Sequence, residues 1–227
     1  VKRTVPSLLS FNAGYVDTAG FLALQGLFTA HVTGNFVTFG AALAHGTSGA
    51  FAKLLALPVF CVVVIITRIV SLRLPRLGLP ILKTMVGVKV VVLILGASLM
   101  IVWGPFADAD SWRAIVAGMT LVAAMAIQNA IHRVHLAKAP PTTLMTGTST
   151  QIMLDVADLL SGAAPEKRAE IYGRLTKMAP SVGAFILGCL MSALLYMAFG
   201  LQLFILPPLV ALVTLALIHF RPDPDFT

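Results

Sequence analysis

Six stretches of this chain are each about as long as a bilayer is thick and almost free of charge: residues 6–28, 54–71, 80–103, 114–134, 178–199 and 201–220. A helix rises about 1.5 Å per residue, so about 20 mostly apolar residues cross the hydrocarbon core. Composition agrees, with 58% hydrophobic and 11% charged residues. A soluble domain carries about 25% charged residues, so too few charges exist here to coat a water-facing surface. The formal net charge of +7 does not point to nucleic acid, because the basic residues flank apolar runs and form no single patch. Fold class is therefore an all-α integral membrane protein, with the lipid bilayer as its first partner.

Cys61 and Cys189 sit inside apolar runs without metal-ligand or redox spacing. They read as small buried hydrophobes. The chain lacks His-Glu-x-x-His, Gly-x-Ser-x-Gly, a Walker loop and any Cys/His cluster. No enzymatic activity, cofactor or metal is expected.

Two shorter, more polar stretches, 34–43 and 147–160, each follow a similar tetrapeptide: Val32-Thr33-Gly34-Asn35 and Met145-Thr146-Gly147-Thr148. Asp17 precedes the first and Asn129 the second, while Pro58 and Pro180 open the apolar runs that come next. The same landmarks in the same order suggest two related halves. Residues 1–104 form the first, 105–110 an external linker, 111–222 the second, and 223–227 a cytoplasmic tail.

Charge chooses the topology. With eight crossings, in two parallel repeats of four, Arg73, Arg76 and Lys83 face away from Lys167, Arg168, Arg174 and Lys177. With six crossings and two short segments that enter and leave on one side, those residues share a face. Lys2, Arg3, Arg68, Arg133, Lys138 and Arg221 join them, and only Lys53 and Arg113 lie opposite. Cytoplasmic loops are rich in Lys and Arg, so six spans place both termini in the cytoplasm. Three crossings per half then make the second half inverted relative to the first, each half holding three spanning helices and one re-entrant half helix, as in many transporters.

The two half-helix N-termini are where chemistry is expected. Helix starts present unpaired N–H groups and a positive dipole end, which suit an anion. Thr33 and Thr146 read as N-caps. Thr33, Gly34, Asn35, Thr146, Gly147, Thr148 and Asn129 then line a solute site, or the two motifs are ordinary tight turns. Asp17 falls midway along the first span, where an ionisable group is costly. It either couples transport to a cation or proton, or holds the Thr-Gly-Asn loop by accepting hydrogen bonds. Lys89 either snorkels to the cytoplasmic surface, pairs with Asp17 or attracts an anion. His31 adjoins the first motif and is of the residue type that titrates near neutral pH. Asn12, Gln25, Gln128 and Gln151 line the same cavity or bond neighbouring helices. Asp155, Asp158, Glu166 and the basic run 167–177 read as a solvated face, and Trp112 with Arg113 as an interfacial anchor.

The stretch Gly14-Tyr15-Val16-Asp17-Thr18-Ala19-Gly20-Phe21, followed by Leu27-Phe28-Thr29-Ala30-His31-Val32-Thr33-Gly34-Asn35, resembles the YoaK-like family of bacterial membrane proteins. Ala126-Ile127-Gln128-Asn129-Ala130 and Met145-Thr146-Gly147 extend the resemblance into the second half. It departs at Thr148, where the family often has a second Asn. The resemblance implies the bacterial cytoplasmic (inner) membrane and brings no established activity. The physical reading is a secondary transporter or facilitator of a small anionic solute held between the two Thr-Gly motifs, with Asp17, His31 and Lys89 coupling or gating. A channel is the nearer alternative, and a membrane interaction or assembly protein without substrate the more distant one. Lipid-facing spans rich in small residues would permit a homodimer.

Overall fold

The computed structural model describes residues 4–137, 139–143 and 145–220. Eight α-helices run through them: α1 Thr4–Ala23, α2 Asn35–His45, α3 Ala50–Arg73, α4 Ile81–Trp103, α5 Trp112–His135, α6 Thr146–Leu160, α7 Pro165–Phe199 and α8 Leu206–Phe220. The tail 223–227 and the basic residues Lys2, Arg3, Lys138 and Arg221 lie outside the described residues. Among the described residues, four helical stretches are long and apolar enough to cross a membrane: Ala50–Leu77, Ile81–Trp103, Trp112–His135 and Pro165–Phe220, the last holding both α7 and α8.

Local chemistry sets the helix limits. α1 stops at Ala23, earlier than the apolar run implies, because Gln25 (φ 50°) and Gly26 (φ 93°) adopt left-handed backbone, which ends a right-handed helix. α7 starts at Pro165, well before the apolar run at 178, with proline in the first turn where no N–H bond is lost. Pro58 and Pro180 do not open their helices; both lie inside, in α3 and α7. A 3-10 turn, Gly200–Ile205, separates α7 from α8.

α1 packs on α7 and α5 on α3. The short helices α2 and α6 lie on α3 and α7, and α4 meets both α5 and α8. One apolar core, including Tyr15, Leu93, Met100, Leu121 and Phe204, fills the end where α4 gives way to α5. A second, including Val5, Leu9, Met85 and Ile131, fills the opposite end. α5 is the most enclosed candidate span, with 72% of its apolar window buried, against 17% for α3. α3 instead turns Val62, Ile65, Ile66 and Ile69 outward. Cys61 shares this exposed side and Cys189 is only half-buried, so neither is the buried hydrophobe that its apolar surroundings suggest. An outward row of branched aliphatics suits lipid, which has no hydrogen bonds to lose.

Glycine makes the close contact between α1 and α7 possible. A Cβ on Gly188 of α7 would stand 2.1 Å from the Phe11 carbonyl oxygen of α1, and one on Gly14 would stand 2.3 Å from the Phe185 carbonyl oxygen. The two backbones touch because each helix offers a glycine to the other, the packing favoured where no hydrophobic force drives apolar helices together. Gly188→Val should separate α1 from α7 and cost about 1–3 kcal/mol, the usual range for overpacking. A lowered unfolding midpoint in detergent would show it. Gly173→Ala, whose Cβ meets nothing within 4 Å, should leave the midpoint unchanged or raised.

Candidate functional site

Asp17 lies on the buried side of α1 and organises the chain that follows the helix. Its Oδ1 accepts from the backbone N–H groups of Thr29 (2.8 Å), Ala30 (2.7 Å) and His31 (3.3 Å). Its Oδ2 lies 2.6 Å from His31 Nδ1. Asp17 precedes the helix end at Ala23 by six residues, about 9 Å at the helical rise, so residues 29–31 have turned back to that depth. Asn35 fixes the same loop from its other side: its Oδ1 accepts from Phe28 N–H and its Nδ2 donates to the Phe28 carbonyl, both at 2.8 Å. Gly20 lets the loop sit close, since a Cβ there would stand 2.6 Å from Thr29 Cγ2.

The connection leaves and returns at one end of the bundle. Gln25, just past α1, donates to the Ala107 carbonyl at 3.2 Å and accepts from the Ser48 hydroxyl, just past α2. Asp110 caps the start of α3 by accepting from Gly49 and Ala52 N–H, both at 2.9 Å. Lys53 donates to the Ser48 carbonyl at 3.5 Å. The end of α1, the end of α2, the start of α3 and the α4–α5 connection therefore meet. Trp103 and Trp112 stack edge-on at 5.2 Å nearby, with the Arg113 guanidinium 5.4 Å from the Trp112 ring centre.

A polar residue on α5 likewise holds the chain that follows its helix, with different chemistry. Asn129 precedes the end of α5 at His135 by six residues, and its Oδ1 accepts from the Thr143 hydroxyl at 2.7 Å. Both clamps reach fourteen residues onward, Asp17 to His31 and Asn129 to Thr143. Buried Gln128 is the hub. Its Nε2 donates to the Leu9 carbonyl (2.9 Å) and to the Thr142 hydroxyl (3.1 Å), and its Oε1 accepts from Lys89 at 2.5 Å. Lys89 is 0% exposed, so it does not snorkel, and its bond goes to Gln128, not Asp17. It faces α5 among buried Val86, Val90 and Leu93, and the amide oxygen at hand offers the ammonium a nearer partner than the surface does.

Several expected roles differ. Thr33 lies within the 3-10 turn Val32–Gly34 with its side chain exposed, and Thr146 is the first residue of α6. Neither caps a helix: Gly34 and Met145 hold the cap positions without side-chain bonds. Asn12 donates to the Pro207 carbonyl across to α8. Asp155 is not on a solvated face; it is buried under a two-point Arg174 contact (2.6 and 3.1 Å) and a Gln151 bond (3.0 Å). The Arg174 hydrogen bonds hold the Asp155 carboxyl below the usual carboxylate range, against its burial. This contact, with Lys167–Asp158 at 2.9 Å, ties α6 to α7.

The six motif residues do not line one enclosed pocket. An open concavity of about 660 Å³ runs along α6, lined by Met145, Thr146, Ser149, Thr150, Met153 and Leu154, and of the six candidate residues Thr33, Gly34, Asn35, Thr146, Gly147 and Thr148 it takes Thr146 alone. Thr29 and Thr148 each bury a hydroxyl that has no hydrogen-bond partner among the described residues. The sequence signals for the clamps are the Asp17 and Asn129 positions within otherwise apolar helices; nothing in spacing alone marked Gln128 as the hub.

The family described as "Protein of unknown function (DUF1275)" matches residues 5–218. The chain belongs to it. It is also 28% identical over 194 residues to "UPF0700 transmembrane protein YoaK" of Bacillus subtilis (strain 168), covering 82% of this chain and 82% of that one. No solved structure matches. Membership, the named transmembrane relative and the apolar helices agree that this is a membrane protein.

The Asn35 clamp gives a direct test. Asn35→Ala strands a part-buried backbone donor and acceptor of Phe28, each costing up to about 1–3 kcal/mol, the range for a fully buried group. A clear drop in unfolding midpoint is expected, with faster amide exchange confined to the loop before α2.

Proposed function

We propose that the protein is a secondary transporter or facilitator of a small anionic solute, built from two inverted halves of three crossings and one re-entrant half helix. The observation that carries this is the pair of matching clamps. Each draws irregular backbone back to the same depth beside an otherwise apolar helix. Irregular backbone at membrane depth is tolerated only inside protein or beside water, and inverted repeats with broken helices place their solute there.

Topology supports it. α1, α3, α4, α5, α7 and α8 are the crossings. Gln25 and Ser48 meet at the end of the α4–α5 connection, so α2 enters and leaves there. α7 finishes with Leu201 against Gly104 at that same end, so α7 begins, and α6 ends, at the opposite one. The described basic residues Arg68, Arg73, Arg76, Lys83, Arg133, Lys167, Arg168, Arg174 and Lys177 share that opposite end, which is cytoplasmic by the positive-inside rule. The bacterial inner membrane is the setting.

The two loops divide the work. Asp17 already occupies the N–H donors at residues 29–31, so the anion-facing donors are those of the second motif, the backbone N–H groups of Thr146, Gly147 and Thr148 with the unpartnered Thr148 hydroxyl. Lys89, through Gln128 and Thr142, supplies positive charge behind that loop. Asn35, Asn129 and the Thr33-Gly34 turn hold the facing walls.

Two measurements test the reading. Single cysteines at Ser48 and Gly162, in a background with Cys61 and Cys189 replaced, should be labelled by a membrane-impermeant maleimide from opposite faces; labelling from one face removes the inverted arrangement. The full chain in proteoliposomes should accelerate uptake of at least one of chloride, nitrate, acetate, sulfate or phosphate over protein-free vesicles. Equal rates for all of them would end the anion assignment.

A further inference from the structure

Asp17 and His31 together form a more specific device than a buried acid. We infer that His31 Nε2 is the proton-binding atom of the first loop and that Asp17 is the positioning residue that keeps it ready. This rests on the transport reading for its role in coupling, but the proton site itself stands on geometry.

The carboxylate has little left to give a proton. Three backbone N–H groups converge on Oδ1, and Oδ2 faces His31 Nδ1 at 2.6 Å. In each of these contacts a carboxylate oxygen is the acceptor. Oδ2 accepts, so Nδ1 must carry the hydrogen, and in the neutral ring Nε2 is then the atom with a free lone pair. The same logic orients the imidazole of an Asp–His pair in acid–base catalysis, where the acid fixes the tautomer and the far nitrogen handles the proton.

Accessibility differs in the right sense. The Asp17 side chain is 6% exposed and that of His31 30%. The ring is held edge-on to Phe185 of α7 at 5.6 Å and to Phe28 at 6.2 Å, so it cannot easily turn to present Nδ1 instead. The charged or titratable groups on the elements around it are few. Asp17 is on α1 and Cys189, close to Gly14, is on α7. Lys53 on α3 is turned to the Ser48 carbonyl, and His45, at the far end of α2, bonds to the Ala41 carbonyl. Asp17 is therefore the one charge directly on the ring among the described residues.

The step balances simply. The Nε2 lone pair takes a proton from water, giving an imidazolium whose Nδ1–H stays on Asp17. Release returns the proton from Nε2 to water and restores the same tautomer. No bond of the Asp17 clamp breaks in either direction, so the loop need not unfold to carry the charge. The ionised pair changes the net charge of the loop from negative to neutral, and that alters what the facing site will accept.

The test uses the full chain in lipid nanodiscs with 15N-labelled histidine, the His31 signals being assigned by their loss in His31→Asn. The neutral ring should show a protonated Nδ1 and a bare Nε2, and acidification should add a proton at Nε2 while Nδ1 keeps its own. A neutral ring with its hydrogen on Nε2, or a ring that takes up no proton on acidification, overturns the inference. Asp17→Asn should erase the tautomer preference. Should that variant fail to fold, His31→Asn remains, because its amide can still donate to Asp17 while lacking the basic nitrogen. In proteoliposomes, His31→Asn should keep the unfolding midpoint and lose the pH dependence of whichever probe anion the wild type moves. If wild-type flux is pH-independent while His31 titrates, coupling is refuted and the transport reading survives; if no anion moves while His31 titrates as described, the transport reading fails and the proton site stands.

Discussion

The rest of the structure depends on a carboxylate standing in for a helix. Past Ala23, the chain gives up its regular hydrogen bonds inside an apolar bundle, where each unsatisfied backbone group costs several kcal/mol. Asp17 takes three of those N–H groups, and Asn35 takes a fourth together with a carbonyl. Only with both in place can the chain turn back at half depth and start the short helix α2. The position of α2 against α3, and the meeting of Gln25, Ser48 and Asp110 at one end, follow from that return.

The second loop meets the same constraint without an acid. Asn129 Oδ1 accepts from the Thr143 hydroxyl and Gln128 Nε2 donates to the Thr142 hydroxyl. Asp17 and Lys89 are both buried and do not pair with each other: the acid is met by backbone N–H groups and the lysine by the Gln128 amide oxygen. Removing a partner from a buried charge is far costlier than removing a surface pair, so each charge depends on the group that solvates it: the backbone N–H groups of residues 29–31 for Asp17, and the Gln128 amide for Lys89. The loop after α1 is thus held by an acid and the loop after α5 by amides.

Much of this was legible in the chain. Asp17 and Asn129 stand out because apolar helices give a polar residue nothing to hide behind, and the Thr-Gly echo marks where each loop ends. Loop-holding by Asp17 was one of two readings open from the sequence, and its bonds to residues 29–31 favour it. Other features were not legible for a common reason: they depend on which neighbour a side chain meets. Lys89 near a span boundary reads as snorkelling until Gln128 is found beside it. Asp155 reads as solvated until Arg174, nineteen residues on, folds over it. Cys61 reads as buried because an apolar run does not say which of its faces meets lipid.

The sequence by itself determined that the chain is helical and belongs in a membrane, because the length and apolarity of a run are local properties that lipid reads directly. It also determined where polar residues interrupt those runs. Only the tertiary structure decided what the interruptions do, since a hydrogen bond between Asp17 and His31 or between Gln128 and Lys89 needs two segments brought to one depth. That depth is set by the Gly14–Gly188 contact and the clamped loops together, and no single segment encodes it. Asp17 holds the loop by its backbone N–H groups, and His31, at its second oxygen, belongs to that same loop.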